Sequence, residues 1–114
     1  MRKKVVLSLV VASALAACAP PPATNPAQAA ARSAAAYEYT ARNCAGRAGG
    51  FNDLIAIRQQ ADARYAMARK LGATEALIEQ EKKAVQSAAG SATFWVGADD
   101  VCKNLVTEAA MQAT

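Results

Sequence analysis

Histidine is absent from this 114-residue chain, and aromatic residues make up only 5% of it. The commonest general base of enzymes and a frequent zinc ligand are therefore missing. The three cysteines form no Cys-x-x-Cys pair, so a thioredoxin-type redox centre and a c-type haem site also lack their ligands. The sequence therefore predicts no catalytic residue, no metal site and no cofactor. An active site built from carboxylates alone is the one enzymatic alternative, because it leaves no local signature.

Large hydrophobic side chains are scarce as well, because alanine is the most frequent residue among the apolar 54% of the chain. A chain of about 100 residues buries only about 60–65% of the surface that it exposes when unfolded. A core made mostly of methyl groups is thin at this size. We therefore expect a further constraint to stiffen the fold.

No apolar run is long enough to cross a bilayer, but one marks the start of the chain. Arg2, Lys3 and Lys4 precede an uncharged, mostly apolar stretch over residues 5–17. Its roughly 13 residues fall short of the about 20 that a transmembrane helix needs. A cationic start, an apolar centre and small residues at the end are typical of a secretory signal peptide. Residues 1–17 are therefore predicted to be a signal peptide.

The signal segment leads into Leu15-Ala16-Ala17-Cys18, an aliphatic residue, two small residues and a cysteine. This pattern resembles the lipobox of bacterial lipoprotein precursors. The resemblance implies that the Cys18 thiol carries a diacylglyceryl group, that cleavage occurs before Cys18, and that palmitate or another acyl chain is added to the new amino terminus. Several acyl chains on one residue give stable membrane attachment. The alternative is ordinary cleavage after Ala-x-Ala, which leaves Cys18 as a free thiol.

The expected location follows from the same resemblance. Ala19 stands where many inner-membrane lipoproteins carry aspartate, which favours a periplasm-facing anchor in the outer membrane, with the inner membrane as the alternative. Removal of the signal leaves ten Lys and Arg against nine Asp and Glu, so the net charge falls from +4 to about +1. No basic stripe then remains to indicate a nucleic-acid partner.

The other two cysteines are predicted to form a disulfide. Once Cys18 carries lipid, an exported chain is left with Cys44 and Cys102, and an even pair in an oxidising compartment favours one bridge. The closed loop of roughly 60 residues is expected to contribute about 4 kcal/mol to the free energy of unfolding. The alternative is a pair of buried free thiols.

Prolines dominate the segment that follows the predicted anchor. Three of them occupy positions 20–22, and proline runs favour extended polyproline conformation. Residues 18–28 are therefore predicted to be the lipidated cysteine and a proline-rich spacer. Asn25 and Pro26 also fit the cap and first turn of a helix. An alanine-rich stripe predicts that this helix continues to Cys44.

A second helix is expected after a turn that contains three glycines between positions 46 and 50. Asn52 or Asp53 is expected to cap it, and its apolar stripe from Leu54 to Leu71 is expected to be buried. Gly72 has the conformational freedom that the end of this helix requires.

Two more helices are predicted in the last third of the chain. Thr74 is expected to cap the third, and Gly90 to weaken or end it, although the apolar pattern allows continuation towards Phe94. The fourth is expected to begin at an Asp99 cap and to bury Cys102 in its first turn.

Phe94 and Trp95 belong to the most hydrophobic run after the signal segment, and Trp95 is the only tryptophan. The interpretation that composition favours is that both rings close the open end of the bundle, because the core is short of large side chains. The alternative is an exposed aromatic contact for a protein partner or a glycan.

Taken together, these patterns predict an all-α fold: a small bundle of three to four helices in residues 29–114, with one disulfide. The function that they favour is that of a structural or accessory protein, not an enzyme, anchored to the bacterial envelope membrane by lipid and bound to a protein partner. The alternatives are a periplasm-facing inhibitor or immunity protein and an acid-stress holdase, which size, compartment and the single bridge also allow.

Overall fold

The computed structural model describes residues 21–44 and 54–112, with side chains as far as Leu105 and without that of Leu54. These residues form four α-helices and no strand: α1 spans Pro26–Asn43, α2 Leu54–Lys70, α3 Glu75–Val96 and α4 Ala98–Gln112. The predicted all-α bundle of four helices is thus confirmed. The signal segment, Cys18 and the glycine-containing turn after α1 lie outside the described residues.

The first helix begins as its sequence predicts. The Asn25 side chain accepts a hydrogen bond of 2.8 Å from the backbone N–H of Gln28, and Pro26 occupies the first turn. An amide that has no partner inside the helix is satisfied in this way. Pro26 is the first residue of α1, as the cap and proline predicted, so α1 begins within the segment assigned to the spacer. At the other end, the Cys44 N–H donates to the Thr40 carbonyl at 2.9 Å.

Gly72 ends α2 in the predicted manner. Its φ of +102° lies in the left-handed region, and the Ala73 N–H reaches back to the Ala68 carbonyl at 2.9 Å. This is the hydrogen-bond pattern of a Schellman motif. The expectation that Leu71 is buried was wrong, because 49% of it is exposed. Leu71 is the residue directly before the turn, where the chain has already left the packed face of α2.

The third and fourth helices differ from expectation at one position each. Thr74 caps α3 as predicted, but the helix continues through Gly90 to Val96. Gly90 is compatible with helical dihedral angles, and its cost of roughly 1 kcal/mol relative to alanine is not enough to end the helix. Asp99 is not the cap of α4, since Ala98 is already helical and Asp99 lies in the first turn. Its carboxylate still interacts favourably with the positive end of the helix.

The core lies where α1 packs against its neighbours. Among the described residues, α1 contacts each of the other three helices, and α3 also contacts α4. Small side chains allow close approach of the backbones, with Tyr65 and Ile78 as the larger members of a cluster completed by four alanines: Ala31, Ala34, Ala61 and Ala68. No helix of the described part of the chain has the length and apolarity needed to span a membrane.

Cys44 and Cys102 are joined by a disulfide, as predicted. Both residues are buried, and their Cα atoms are 5.6 Å apart. The bridge fixes the end of α1 beside the start of α4, which is the placement that the sequence indicated. It closes a loop between residues 58 positions apart, so it removes much of the conformational freedom of the unfolded chain.

Candidate functional site

The most exposed hydrophobic surface in the described residues is at the C-terminal end of α3. Phe94 is 81% exposed, Trp95 77% and Val96 53%, and we call these three residues the aromatic tip. The two rings meet edge to face, with their centroids 5.3 Å apart. Together the rings present roughly 300 Å² of apolar surface to water. A contiguous apolar patch of this size is comparable to the largest patch on many monomeric proteins, and such patches are often functional.

The exposure of the aromatic tip contradicts the prediction that Phe94 and Trp95 close the end of the bundle. The buried face of α3 is formed by Ile78, Glu81, Val85 and Ala89, with the spacing of three and four residues of one helical stripe. Continued along the helix, that stripe passes through positions 92 and 93 and leaves both rings outside it. The pattern contained this information, but only on the assumption that α3 continues through Gly90.

The aromatic tip is followed by a sharp change of direction. Gly97 has a φ of +89°, and its N–H donates to the Thr93 carbonyl at 3.0 Å. Any other residue would be strained in this conformation. The glycine ends α3 and lets α4 begin one residue later, so the two rings stand at a corner between helices.

A buried ionic cluster lies near the N-terminal end of α1. The carboxylate of Glu81 is only 2% exposed, and it accepts a hydrogen bond of 2.8 Å from Arg32 Nε and another of 2.8 Å from Gln28 Nε2. Arg32 also donates to the Pro21 carbonyl. The cluster therefore joins α3, α1 and the end of the spacer. The sequence signal for this cluster is a glutamate at a position of the buried stripe of α3, and the cluster was not predicted.

A second polar cluster is centred on Glu38. The Tyr65 hydroxyl donates to one carboxylate oxygen of Glu38, and Arg42 pairs with the other at 2.7 Å. Lys82 lies 3.8 Å from the same carboxylate and above the Tyr65 ring, 5.0 Å from its centroid. Burial raises the pKa of the Tyr65 hydroxyl, and its hydrogen bond to Glu38 raises that pKa further. At neutral pH Tyr65 is thus a hydrogen-bond donor that holds Glu38 against α2.

The Glu38 cluster borders an open cleft of about 690 Å³. Its walls carry cations, which include Arg58 and Arg69, and one further carboxylate, Asp62. Arg69 is already paired with Glu75 at 2.7 Å. Lys82 and Arg42 are engaged with Glu38, so the ion pairs of this cleft connect α3 to both α1 and α2.

Among the described residues, no three Cys, Asp or Glu side chains are grouped closely enough to hold a metal ion. The cysteines at 44 and 102 are joined to each other. The aromatic tip is thus the described surface with the clearest capacity to bind a partner. Comparisons of the chain with protein-family models, with curated proteins and with solved structures find no match.

Proposed function

We propose that this chain is a lipid-anchored accessory protein of the bacterial envelope that docks onto an apolar surface of a larger protein through its aromatic tip. The observation that carries the docking part is the 81% and 77% exposure of Phe94 and Trp95. Tryptophan is enriched among the residues that dominate binding energies at protein interfaces. The lipid anchor is supported by the sequence Leu15-Ala16-Ala17-Cys18.

The arrangement of the helices favours a protein partner over a lipid surface at the tip. The spacer meets the domain near the start of α1, where Arg32 contacts Pro21. The other end of α1 is bridged by Cys44 to Cys102, close to the start of α4, and α4 follows the tip after Gly97. The 18 residues of α1 span about 27 Å. A domain tethered at its spacer end therefore presents the tip away from the membrane that holds it.

Docking is tested by replacing single positions with a photo-crosslinking amino acid in intact envelopes. A crosslinker at position 95 is expected to give an adduct with one larger protein. The matched control is position 67, because Met67 is also exposed but lies on α2. The Phe94→Ala/Trp95→Ala double variant is then expected to weaken binding of the purified partner at least 100-fold, while Met67→Ala leaves it unchanged.

Each of three results contradicts docking through the tip. One is recovery of the chain without any adduct at position 95, and a second is equal binding of the partner by the double alanine variant. Adducts of position 95 with lipid alone would also refute it, because they would place the rings at the membrane.

The anchor is tested separately by the mass of the protein extracted from membranes. We expect a chain that begins at Cys18 and carries acyl groups, and we expect Cys18→Ser to prevent that processing. An extracted chain that lacks acylation and retains residues 1–17 would refute the anchor. Neither result bears on the contacts of the aromatic tip.

A further inference from the structure

A cavity of about 490 Å³, separate from the cleft beside Glu38, lies between the spacer, the first two turns of α1 and the middle of α2. Its lining includes Pro22, Pro26, Arg32, Ser33 and Arg64, with alanines between them. We call it the spacer cavity. Its lining contains two arginines and no carboxylate, whereas the lining of the cleft beside Glu38 contains the carboxylates of Glu38 and Asp62. The absence of an acidic residue from its lining, and not a larger excess of cations, therefore distinguishes the spacer cavity from that cleft.

Two polar atoms of this lining are buried without a hydrogen-bond partner. They are the Ser33 hydroxyl oxygen and the Arg64 Nε. Ser33 is 97% buried, since only 3% of it is exposed. Buried polar groups are nearly always paired, and an unpaired one costs free energy. Two such atoms in the lining of one cavity indicate a site whose ligand would supply their missing partner.

The position of Arg64 makes its guanidinium available to a ligand. The guanidinium lies over the Tyr37 ring, 5.1 Å from its centroid, and the described structure gives it no ion pair. The neighbouring Arg32 is held by Glu81 at 2.8 Å, so Arg64 is the cation of the cavity that has no carboxylate partner. The same cavity thus offers an arginine fork and a hydroxyl donor, and both are groups that pair with the oxygens of a phosphate.

We infer that the spacer cavity binds the phosphate of a phospholipid headgroup, an assignment whose lipid source rests on the proposed anchor at Cys18. Arg64 would pair with the phosphate oxygens and Ser33 would donate its hydroxyl proton. The cavity exceeds the size of a phosphate alone, and its proline and alanine walls suit the glycerol part of the ligand. Pro22 follows Cys18 by four residues, which span about 12 Å in polyproline conformation. A lipid on Cys18 therefore brings this cavity within reach of the headgroup layer.

The test follows the backbone amide signals of Ala30 and Ser33 by NMR, with the purified full chain in micelles of a non-ionic maltoside detergent. One arm adds dioleoylphosphatidylglycerol to the micelles, and the other adds inorganic phosphate. We expect saturable shifts at a lower concentration of the lipid than of free phosphate. Arg64→Gln is expected to abolish them, and Ser33→Ala to weaken binding about tenfold. Arg58→Gln is the matched control, because Arg58 lies on the same helix and lines a different cavity.

The variants separate a binding role from a structural one. Ser33→Ala removes a hydroxyl that has no partner in the free protein, so the variant is expected to unfold at the same or a higher urea concentration than the parent. Weaker binding by a variant of undiminished stability then reports the lost contact.

Three results would overturn the inference. The absence of any saturable shift, or equal shifts in the Arg64→Gln variant, would refute the anion site itself. Saturation by inorganic phosphate at the concentration that the lipid requires would refute the headgroup and leave a site for soluble phosphate. The proposed anchor is refuted by a different measurement, the mass of the extracted chain. If that mass shows an unacylated Cys18, the result of this titration is not changed.

Discussion

Glu81 is the most deeply buried of the described charged residues. Its carboxylate is almost wholly removed from water, and it depends on Arg32 and Gln28 for both of its close contacts. A buried ion pair contributes little relative to a well-packed apolar pair, but removal of one partner leaves the other charge without compensation. The cluster therefore makes the joint between α1 and α3 sensitive to single substitutions.

Glu81→Gln is expected to lower the free energy of unfolding by about 3 kcal/mol, because Arg32 loses its ion pair in a mostly buried position. Urea denaturation followed by circular dichroism measures this change. The control is Glu79→Gln, whose side chain is largely exposed although it lies 3.5 Å from Lys82. An exposed pair of this kind is worth less than about 1 kcal/mol, and equal effects of the two substitutions would show that burial does not matter here.

Tyr65 is expected to make the fold sensitive to alkaline pH. Its pKa is raised above the ordinary value of 10.0, mainly by burial. The folded state therefore holds the phenolic proton more tightly than the unfolded state does, and this contribution to stability is complete below pH 10. As the pH rises above 10 towards the raised pKa, the unfolded chain releases the proton first and the contribution is lost.

The measurement is the free energy of unfolding of the parent and of Tyr65→Phe between pH 8 and pH 11.5. The parent is expected to lose stability more steeply than the variant above pH 10, because phenylalanine has no proton to release. Parallel curves for the two proteins would contradict this account. Tyr37 and Tyr39 remain in both proteins, so their titration cancels in the comparison.

At the scale of the helix, two glycines of the α3 region differ in backbone conformation: Gly90 lies inside the helix and Gly97 directly follows its end. A Cβ built at Gly90 meets no atom within 4 Å. Gly97 also has space around it, but its φ of +89° is one that other residues rarely adopt. Free space is therefore not the property that distinguishes the two positions, and backbone conformation is.

Gly90→Ala is expected to raise the free energy of unfolding by about 0.5–1 kcal/mol, since alanine restricts the unfolded chain and favours the helix. Gly97→Ala is expected to lower it by about 1–3 kcal/mol, because alanine is strained where a positive φ is combined with an extended ψ. Urea denaturation of both variants beside the parent checks the two signs. A loss of stability in Gly90→Ala would mean that α3 is not continuous at that position.

The helices themselves were largely predictable, because caps and apolar spacing are local signals. Asn25, Thr74 and Gly72 marked the correct helix ends, and the cysteine count indicated the bridge. Exposure of Phe94 and Trp95 was only the alternative interpretation of their sequence, and the Glu81 cluster was not predicted. Both depend on how far α3 extends and on which helix lies opposite each of its faces, and a single cap or glycine does not contain that information. Ser33 and Arg64 were missed for the same reason, since their shared cavity exists only once α1 and α2 are packed.

At the scale of the whole molecule, the disulfide compensates for the shortage of large core side chains. Cys44 and Cys102 connect the end of α1, which contacts the other three described helices, to α4. Without the bridge, α4 is held by its packing against α1 and α3 alone.

The Cys44→Ala/Cys102→Ala double variant is expected to lose about 4 kcal/mol of unfolding free energy, the amount that closure of a loop of this length contributes. This is comparable to the total stability of many small domains. Circular dichroism and urea denaturation measure the loss. A midpoint unchanged from the oxidised parent would show that helix packing alone holds the fold.

The same bridge decides how the molecule responds to mechanical load. Tension applied between residue 18 and residue 95 travels along α1, across the sulfur–sulfur bond and back through the first residues of α4. This route contains fewer than half of the residues that separate the two points along the chain. When the oxidised protein is stretched, α2 and most of α3 therefore carry no tension. The maximum separation of residues 18 and 95 is then less than half of that in the reduced chain.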